Sequence, residues 1–188
     1  SCSAAASVPA ETRCEYWRVH REITNQDRNA AVVERVNVRM PSTEVVPYDE
    51  RWPAAFDAVA AHVRPAVEPY AVAIEHVGST AVPGLAAKPV IDLDVVVPDA
   101  ASAAKAVTAL EALGYQHLGD LGIPGREAFS WLPTLPEHHL YVVIEDSPPY
   151  RDNIDLRNYL RAHPTQAQRY AAEKFRLAHL LVSDREAY

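Results

Sequence analysis

The sequence predicts an α+β domain (a mixed α/β fold) in which a small mixed sheet is flanked by helices. Three observations predict it: apolar residues at helical spacing in some segments, β-branched runs in others, and an order of helix, strand, loop, strand, helix, strands and helices without internal repeats. The length of 188 residues favours one domain with at most an appendage. With 48% hydrophobic and 23% charged residues, the composition excludes a wholly disordered or fibrous chain.

The first half of the domain contains one predicted helix and two predicted strands. The helix covers about Glu50–Val67, where Pro53 suits the first turn and apolar residues recur at helical spacing. The segment Ala71–Val77 (AVAIEHV) is predicted as a strand, and so is Val90–Val97 (VIDLDVVV), which is rich in β-branched residues. The loop GSTAVPGLAAKP connects these two strands.

The second half begins with a helix that is capped by Asp99 or Ser102. This helix ends at Leu113, because Gly114 stands at the position favoured just after a helix. The last helix has Thr165 as its predicted cap. After Gly114 we predict three strands, at Tyr115–Leu118, Ala128–Trp131 and His139–Glu145, with a turn-rich loop at Gly119–Arg126. Two helices follow, at Asp152–Ala162 and Thr165–Leu181.

Residues 1–43 differ from the rest of the chain. They begin with a low-complexity Ser/Ala patch, continue as a charged segment and contain no glycine. We predict an N-terminal extension, appended or loosely ordered, in front of a globular domain of residues 44–188. Whether Ala31–Val38 forms a short strand or a helical turn stays open.

Composition also limits the partners and the compartment. The net charge of −7, from 18 Lys+Arg against 25 Asp+Glu, argues against a nucleic-acid partner but leaves room for a phosphorylated small molecule in a locally basic pocket. The first residues lack a basic region followed by a long apolar one, and no apolar run is long enough to span a bilayer, so we expect no membrane partner. Cys2 and Cys14 give neither a disulfide framework nor a zinc site, which fits a cytoplasmic location.

The glycines single out one region of the chain. All six lie between Gly78 and Gly125, whereas the 15 prolines run from Pro9 to Pro164. Because glycine allows positive φ and close backbone approach, this central stretch concentrates the special backbone geometry.

Two acidic residues and a glycine–serine turn form the central candidate site. Residues i and i+2 of a strand face the same side, so Asp92 and Asp94 project side by side. Two carboxylates so placed repel unless a cation or a shared proton compensates, and Mg²⁺ takes one or two carboxylates plus substrate phosphates. Gly78 permits close approach of a phosphate, and Ser79 and Thr80 form the same phosphate-binding turn. The alternative is a structural role, with Asp92 buried and Asp94 at the surface.

Basic residues are expected around this site. Lys88 lies between the turn and the acidic pair, where it would neutralise phosphate charge. Arg126 either binds an anionic ligand from a mobile loop or is solvated. Arg157 either lines the pocket or pairs with neighbouring acids such as Asp155, and Lys174 is predicted at the surface.

Histidines and a tyrosine are the other candidates. Adjacent strand residues point to opposite faces, so only one of His138 and His139 faces the pocket. We favour His139 as the catalytic candidate, with Tyr141 completing the pocket wall. His76 either binds a phosphate or orients Asp92, or it is a hydrogen-bonded core histidine.

A strand, a Gly-Ser turn and a second strand with Asp-x-Asp form a layout that is typical of the nucleotidyltransferase fold, in which metal ions activate a hydroxyl and stabilise the leaving pyrophosphate. The chain also closely resembles the GrpB family, known as UPF0157 as well, over about Val45 to Tyr188. The resemblance implies a cytosolic domain with this fold and a nucleotidyltransferase-type pocket, and some relatives are fused to dephospho-CoA kinase. The stretches that carry it are VVPYDERWPAAF, IEHVGSTAVPGLAAKPVIDLDVVV, LGYQHLGDLGIPGREAF, HHLYVV and LRNYLRAHP.

Nucleotidyltransferases usually carry a third carboxylate on a neighbouring strand. The candidate here is Glu145, which shares a face with His139 and Tyr141 on the predicted strand. It would serve only if the strand register brings it near Asp92, and without it a second metal ion loses a ligand.

We therefore expect a site that binds a nucleotide or another phosphorylated small molecule with Mg²⁺ held by Asp92 and Asp94. If the site is catalytic, the expected reaction is nucleotidyl or phosphoryl transfer to a small acceptor. Two alternatives stay open. One is a non-catalytic interaction or stability module that keeps the fold, and the other is an enzyme recruited to a pathway that uses the same pocket for different chemistry.

Overall fold

A five-stranded mixed sheet occupies the centre of the computed structural model, which describes residues 44–178. The strands lie in the order β1-β2-β5-β4-β3, and β2 runs parallel to β5 while the other neighbours are antiparallel. β2 and β5 are therefore interior strands, each with a hydrogen-bonded neighbour along both edges. The strands are β1 (Ala73–Val77), β2 (Ile91–Val97), β3 (His117–Gly119), β4 (Arg126–Phe129) and β5 (His138–Ile144).

Helices cover both faces of this sheet. Within the described residues they are α1 (Trp52–Val67), α2 (Ala100–Ala112), α3 (Pro148–Ala162) and α4 (Pro164–Leu177), with a 3₁₀ turn at Ser79–Ala81. α1 and α2 pack against the core side of β2 and β5, where the buried side chains are Leu93, Val95, Val97, Leu140 and Val142. α3 lies on the opposite face, where Asn153 contacts Asp94. The predicted α+β fold with a mixed sheet flanked by helices is confirmed.

Local signals account for most helix ends. The Asp99 side chain accepts a hydrogen bond from the Ser102 amide at 2.7 Å and so caps α2, which decides between the two predicted caps. Gly114 follows α2 at φ +95°, as expected after a helix. The prediction of Thr165 as the cap of α4 is wrong, because that helix begins one residue earlier at Pro164, whose fixed φ and missing N–H suit a first turn.

The last two predicted strands are present and pair with each other, but their limits shift. β4 begins at Arg126, which lies opposite Val143, and Gly125 ends the preceding loop at φ +85°. The prediction of a strand over Ala128–Trp131 therefore starts two residues late. α3 begins at Pro148, earlier than predicted, for the same reason that α4 begins at a proline.

Part of the chain is outside this description. Residues 1–43 and 179–188 lie beyond the described residues, and so do the predicted extension, the segment Ala31–Val38 and the end of the last predicted helix. No helix within residues 44–178 is long and apolar enough to cross a membrane.

Candidate functional site

The strand register brings the acidic pair together with the side chains predicted around it. Asp92 lies opposite His139 and Asp94 lies opposite Tyr141 on the parallel neighbour β5. On the antiparallel neighbour β1, Glu75 lies opposite Asp94. Because directly opposite residues share a face of a sheet, these five side chains project from the face that α3 covers.

Asp92 has one carboxylate oxygen held by a histidine and the other beside the glycine turn. His139 Nδ1 donates to Asp92 Oδ1 at 2.8 Å, since a carboxylate oxygen can only accept. A Cβ atom added to Gly78 would overlap Asp92 Oδ2. Gly78 also has φ +70°, which side-chain-bearing residues rarely adopt. Glycine is therefore required here both for its conformation and for the space next to the carboxylate.

Asp94 is fully buried, and only one of its oxygens is satisfied. Asn153 Nδ2 donates to Asp94 Oδ2 at 3.0 Å, whereas Asp94 Oδ1 has no hydrogen-bond partner among the described residues. Burial raises the pKa of Asp94 to about 7; the Asn153 hydrogen bond opposes this shift and the Asp92 charge adds to it. The structural alternative predicted the reverse arrangement and is wrong, because Asp94 is inside while the Asp92 side chain is 30% exposed.

The neighbouring third carboxylate is Glu75 and not Glu145. Glu145 follows β5 at the end away from Asp92, about 20 Å along the strand from His139 at the usual rise per residue. Glu75 lies beside Asp94, but Arg157 Nη1 binds its Oε2 at 2.6 Å. The strand register therefore rules out Glu145 as the third carboxylate that the sequence suggested. It places Glu75 beside Asp94 instead, but Glu75 is already in an ion pair with Arg157.

Two arginines of α3 hold the backbone on either side of the glycine–serine turn. Arg157 Nη1 also donates to the carbonyl of His76 at 2.9 Å. Arg161 donates through Nε and Nη2 to the carbonyl of Ala81, at 2.9 and 2.6 Å. Of the two roles predicted for Arg157, the structure shows pairing with an acid, but the partner is Glu75 on β1 and not Asp155, and the Arg157 side chain is only 11% exposed.

A lysine from α4 reaches the serine of the turn. Lys174 Nζ donates to Ser79 Oγ at 2.7 Å. Burial lowers the pKa of Lys174 to about 8, and the charge of Lys88 acts in the same direction while Asp92 opposes it. The prediction of Lys174 as a surface lysine is wrong. Lys174 thus lies next to Ser79, and the charges of Asp92 and Lys88 both act on it, which suits binding of a phosphate.

Thr80 and His76 support the glycine–serine turn through side-chain hydrogen bonds. Thr80 is 1% exposed, and its hydroxyl donates to the Val90 carbonyl at 3.3 Å while it accepts from His76 Nε2 at 3.0 Å. His76 stacks on Phe56 with 4.7 Å between ring centroids, and burial lowers its pKa to about 4. The predicted ligand role for the Thr80 side chain is therefore replaced by a structural one. His76 is the hydrogen-bonded core histidine among the open alternatives, since it lies opposite Leu93 and not Asp92.

Arg126 is part of the sheet and not of a mobile loop, so both predicted roles for it are wrong. It is 3% exposed, and its guanidinium carbon lies 4.6 Å from the centroid of the Tyr141 ring. Its charge lowers the pKa of Asp94, against the larger effect of burial. Arg126 therefore acts on the acidic pair from within the protein, and Tyr141 packs against it.

The residues present fit Mg²⁺ together with phosphate but not a metal ion by itself. Within the described part of the chain, no group of three or more His, Cys, Asp or Glu side chains is arranged to hold a metal ion. Mg²⁺ needs fewer protein ligands, because it is commonly bound by one or two carboxylates plus substrate phosphates. Asp92 Oδ2 and the unpartnered Asp94 Oδ1 are the two oxygens that the neighbouring side chains leave for such an ion.

A second depression lies outside this site. It is a cleft of about 580 Å³ between the loop at Pro83 and Gly84 and the junction of α3 with α4. Its other lining residues are Leu160, Arg161, Pro164, Ala167 and Gln168. The acidic pair and Ser79 do not line this cleft, so it is a separate candidate for ligand binding.

Sequence reasoning missed Asn153 and the site role of Lys174, although a signal for each exists. Lys174 stands on the inward stripe of α4, in step with Ala167 and Ala171, which pack in the core. Asn153 stands on the inward stripe of α3, one turn after buried Pro149. A polar residue on an otherwise buried stripe predicts a partner across the interface.

Known proteins similar to this chain lead to one family. The family model described as GrpB protein matches residues 42–188. The UPF0157 protein YqkA of Bacillus subtilis is 34% identical over 135 residues, which cover 72% of this chain and 39% of YqkA. The UPF0157 protein PA4798 of Pseudomonas aeruginosa is 38% identical over 152 residues, 77% of this chain and 61% of that protein. The chain thus spans less than two thirds of the length of either relative.

A solved structure supports the same assignment. The crystal structure of the conserved protein GrpB from Enterococcus faecalis matches with a TM-score of 0.67 and 29% sequence identity, over 76% of this chain and 88% of that one. The span of the family model, residues 42–188, contains the sheet, the glycine–serine turn and the acidic pair. The chain therefore belongs to the GrpB family.

Proposed function

We propose that this domain binds a nucleotide or another phosphorylated small molecule together with Mg²⁺, and that it transfers a nucleotidyl or phosphoryl group to a small acceptor. One observation carries the proposal. Asp92 and Asp94 each have one oxygen held by a neighbour and one oxygen left over, and Gly78, which has no side chain, lets the Asp92 carboxylate lie against the backbone of the turn. Such a pair is costly to maintain without a cation.

Different side chains would bind the metal ion and the phosphates. Asp92 Oδ2 and Asp94 Oδ1 would hold Mg²⁺, which when bound neutralises phosphate charge and polarises the phosphorus–oxygen bond. Ser79 and Lys174 would bind the outer phosphates, with Lys88 adding positive charge. His139 fixes the direction of the Asp92 carboxylate through its Nδ1 hydrogen bond and is a positioning residue here.

Titration calorimetry with ATP, GTP, CTP and UTP, each with and without Mg²⁺, tests the binding. We expect at least one nucleotide to bind in the presence of Mg²⁺. In Asp92→Asn and Asp94→Asn the affinity should fall about 100-fold, since even changes next to a metal ligand cost 10- to 100-fold. Asp155→Asn is the matched control, because this exposed aspartate lies on α3 away from the pair. No binding of any nucleotide to the wild type, or equal affinity in all three variants, would refute the proposal.

A second function is favoured by the state of the third acid. Glu75 is committed to Arg157, so the site supports one metal ion and not the two-metal arrangement of efficient transferases. A module that binds a nucleotide without turning it over fits this observation. Release of pyrophosphate or phosphate during incubation with Mg²⁺ and the bound nucleotide separates the two functions, since a module binds but releases neither.

A further inference from the structure

One contact in the site is suited to chemistry beyond phosphate binding. Ser79 Oγ and Lys174 Nζ lie 2.7 Å apart, within hydrogen-bond reach, although they are 95 positions apart in the chain. Ser79 is partly exposed and opens the 3₁₀ turn directly after Gly78, so a ligand atom can reach its hydroxyl. A hydroxyl that contacts an amine is the arrangement of a nucleophile and its general base.

The surroundings of Lys174 keep a share of its amine neutral. Burial lowers the pKa of this lysine to about 8. The charged groups that act on it are Asp92 on β2, which favours the charged form, and Lys88 in the loop before β2, which disfavours it. On its own helix the ring of Tyr170 lies 5.5 Å from Nζ. At neutral pH the neutral share is a minority, and it becomes the majority above about pH 8.

We propose that Ser79 is a nucleophile activated by Lys174, and that it accepts a phosphoryl or nucleotidyl group from the ligand in a covalent step. The identity of the natural donor rests on the proposed function, whereas the reactivity of the serine does not. Transfer to an acceptor would then take two displacements at phosphorus instead of one.

The step balances as an ordinary displacement. Ser79 Oγ forms a bond to phosphorus, the bond from phosphorus to the leaving group breaks, and the hydroxyl proton passes to Lys174 Nζ. The protonated lysine then returns its proton to the leaving group or to solvent. In the second step the acceptor hydroxyl oxygen forms a bond to the phosphorus on Ser79, the bond from Ser79 Oγ to phosphorus breaks, and the acceptor proton passes through the neutral amine of Lys174 to Ser79 Oγ, which restores the serine.

The test uses a phosphorus electrophile that needs neither metal nor nucleotide. The full chain is incubated with a biotin-tagged alkyl fluorophosphonate from pH 6 to 9.5, and the labelled residue is identified by peptide mass spectrometry. In this reaction fluoride is the leaving group. We expect labelling at Ser79, with a rate that rises about tenfold per pH unit and levels off above about pH 8, as the neutral fraction of Lys174 does.

Variants separate the roles of the two residues. Ser79→Ala should abolish the label. Lys174→Arg keeps the positive charge but cannot accept a proton at these pH values, so it should lower the labelling rate about 100-fold. Lys105→Arg on the exposed side of α2 is the matched control and should label like the wild type.

The pH profile of the wild type keeps the proposal falsifiable even if a variant fails to fold. Absence of Ser79 labelling over the whole pH range, a rate independent of pH, or an unchanged rate in a folded Lys174→Arg protein each overturns it. None of these results depends on nucleotide binding, so a failure here is distinct from a failure of the proposed function.

Discussion

Individual side chains determine how the two carboxylates of the acidic pair are hydrogen-bonded and exposed. His139 and Asn153 each take one carboxylate oxygen, and the remaining two oxygens belong to residues of very different exposure. The Asp92 side chain is partly exposed, whereas Asp94 is fully buried. The pair is therefore made of one partly exposed carboxylate and one buried carboxylate whose charged form is costly in the protein without a cation.

The first prediction at this scale concerns Asp94→Asn. Burial raises the pKa of Asp94 from 3.8 to about 7, so between these values the folded state binds more protons than the unfolded state. Its contribution to the free energy of unfolding is therefore present at low pH and is lost as pH rises towards 7. Because asparagine cannot ionise, the variant should gain stability over the wild type by about 2 to 4 kcal/mol more at pH 8 than at pH 4.

Urea denaturation of both proteins without metal, at pH 4, 6 and 8, measures this difference. Comparing the two proteins at each pH removes the contributions of other groups, such as His76, whose lowered pKa acts in the opposite sense. A stability difference that is the same at all three pH values would show that Asp94 ionises normally.

The second prediction concerns Gly78→Ala. Its Cβ would overlap Asp92 Oδ2 and would sit on a residue with positive φ, so the variant should lose stability and metal–nucleotide affinity together. Gly114→Ala is the control for φ alone, because Gly114 has φ +95° with nothing near an added Cβ. Both variants should lose about 1–2 kcal/mol from the left-handed conformation, but only Gly78→Ala should lose binding in calorimetry. Normal binding by Gly78→Ala would contradict the geometry of the turn.

At the level of secondary structure, α3 and α4 supply side chains that complete the site on the sheet. The strands and the turn place the two aspartates, and the helices add Asn153, Arg157, Arg161 and Lys174 from the other half of the chain. Each of these contacts joins residues more than 50 positions apart. Local pattern predicts that a helix forms, but it does not predict which polar group that helix brings to a particular strand.

A third prediction belongs to this level. Arg157→Met removes the guanidinium that binds Glu75 and the His76 carbonyl, and it leaves Glu75 unpaired on the sheet. We expect a loss of about 2–3 kcal/mol, below the usual cost of breaking a fully buried pair because Glu75 is partly exposed. Arg151→Met on the same helix breaks an exposed pair and should cost at most about 1 kcal/mol.

Denaturation of the two arginine variants and of Arg157→Met combined with Glu75→Gln checks the cause. Removing the unpaired charge should restore part of the loss, because much of the cost is the uncompensated carboxylate. If the double variant is no more stable than Arg157→Met, Arg157 stabilises the protein through packing and not through its charge.

The limits of sequence prediction are visible in particular elements. Hydrophobic period and capping chemistry located α1, α2 and the two central strands to within two residues. The fold class and the Asp92–Asp94 geometry followed from these. The position of the third acid did not, because it depends on how β1 and β5 each pair with β2, and this register is set by long-range pairing. Arg126 was misplaced because the glycine-rich loop ends one residue before it.

For the whole molecule, the charge distribution favours binding of metal and phosphate as a unit. The chain carries a net charge of −7, yet Lys174 lies next to Ser79, where the charges of Asp92 and Lys88 both act on it. Neither a bare anion nor a bare cation meets a complete site there, since no three-residue metal group exists among residues 44–178. A metal–phosphate complex offers a cation to the two aspartates and phosphate oxygens to Ser79 and Lys174.

The fourth prediction follows from this coupling. Mg²⁺ alone should leave the midpoint of thermal unfolding unchanged, and a nucleotide alone should raise it little. Together, at about 100 times the dissociation constant, they should stabilise the protein by about 2.7 kcal/mol, a shift of about 5–10 °C for a chain of this size. Differential scanning fluorimetry over a matrix of both concentrations measures this. Equal shifts from the nucleotide with and without Mg²⁺ would mean that the acidic pair takes no part in binding.

A crystal structure of the protein with Mg²⁺ and a non-hydrolysable analogue of the bound nucleotide tests the central claim most directly. We predict a metal ion between Asp92 Oδ2 and Asp94 Oδ1, with phosphate oxygens on Ser79 and Lys174. A nucleotide seated instead in the cleft between the Pro83 loop and the α3–α4 junction, with no metal at the aspartates, would contradict the claim.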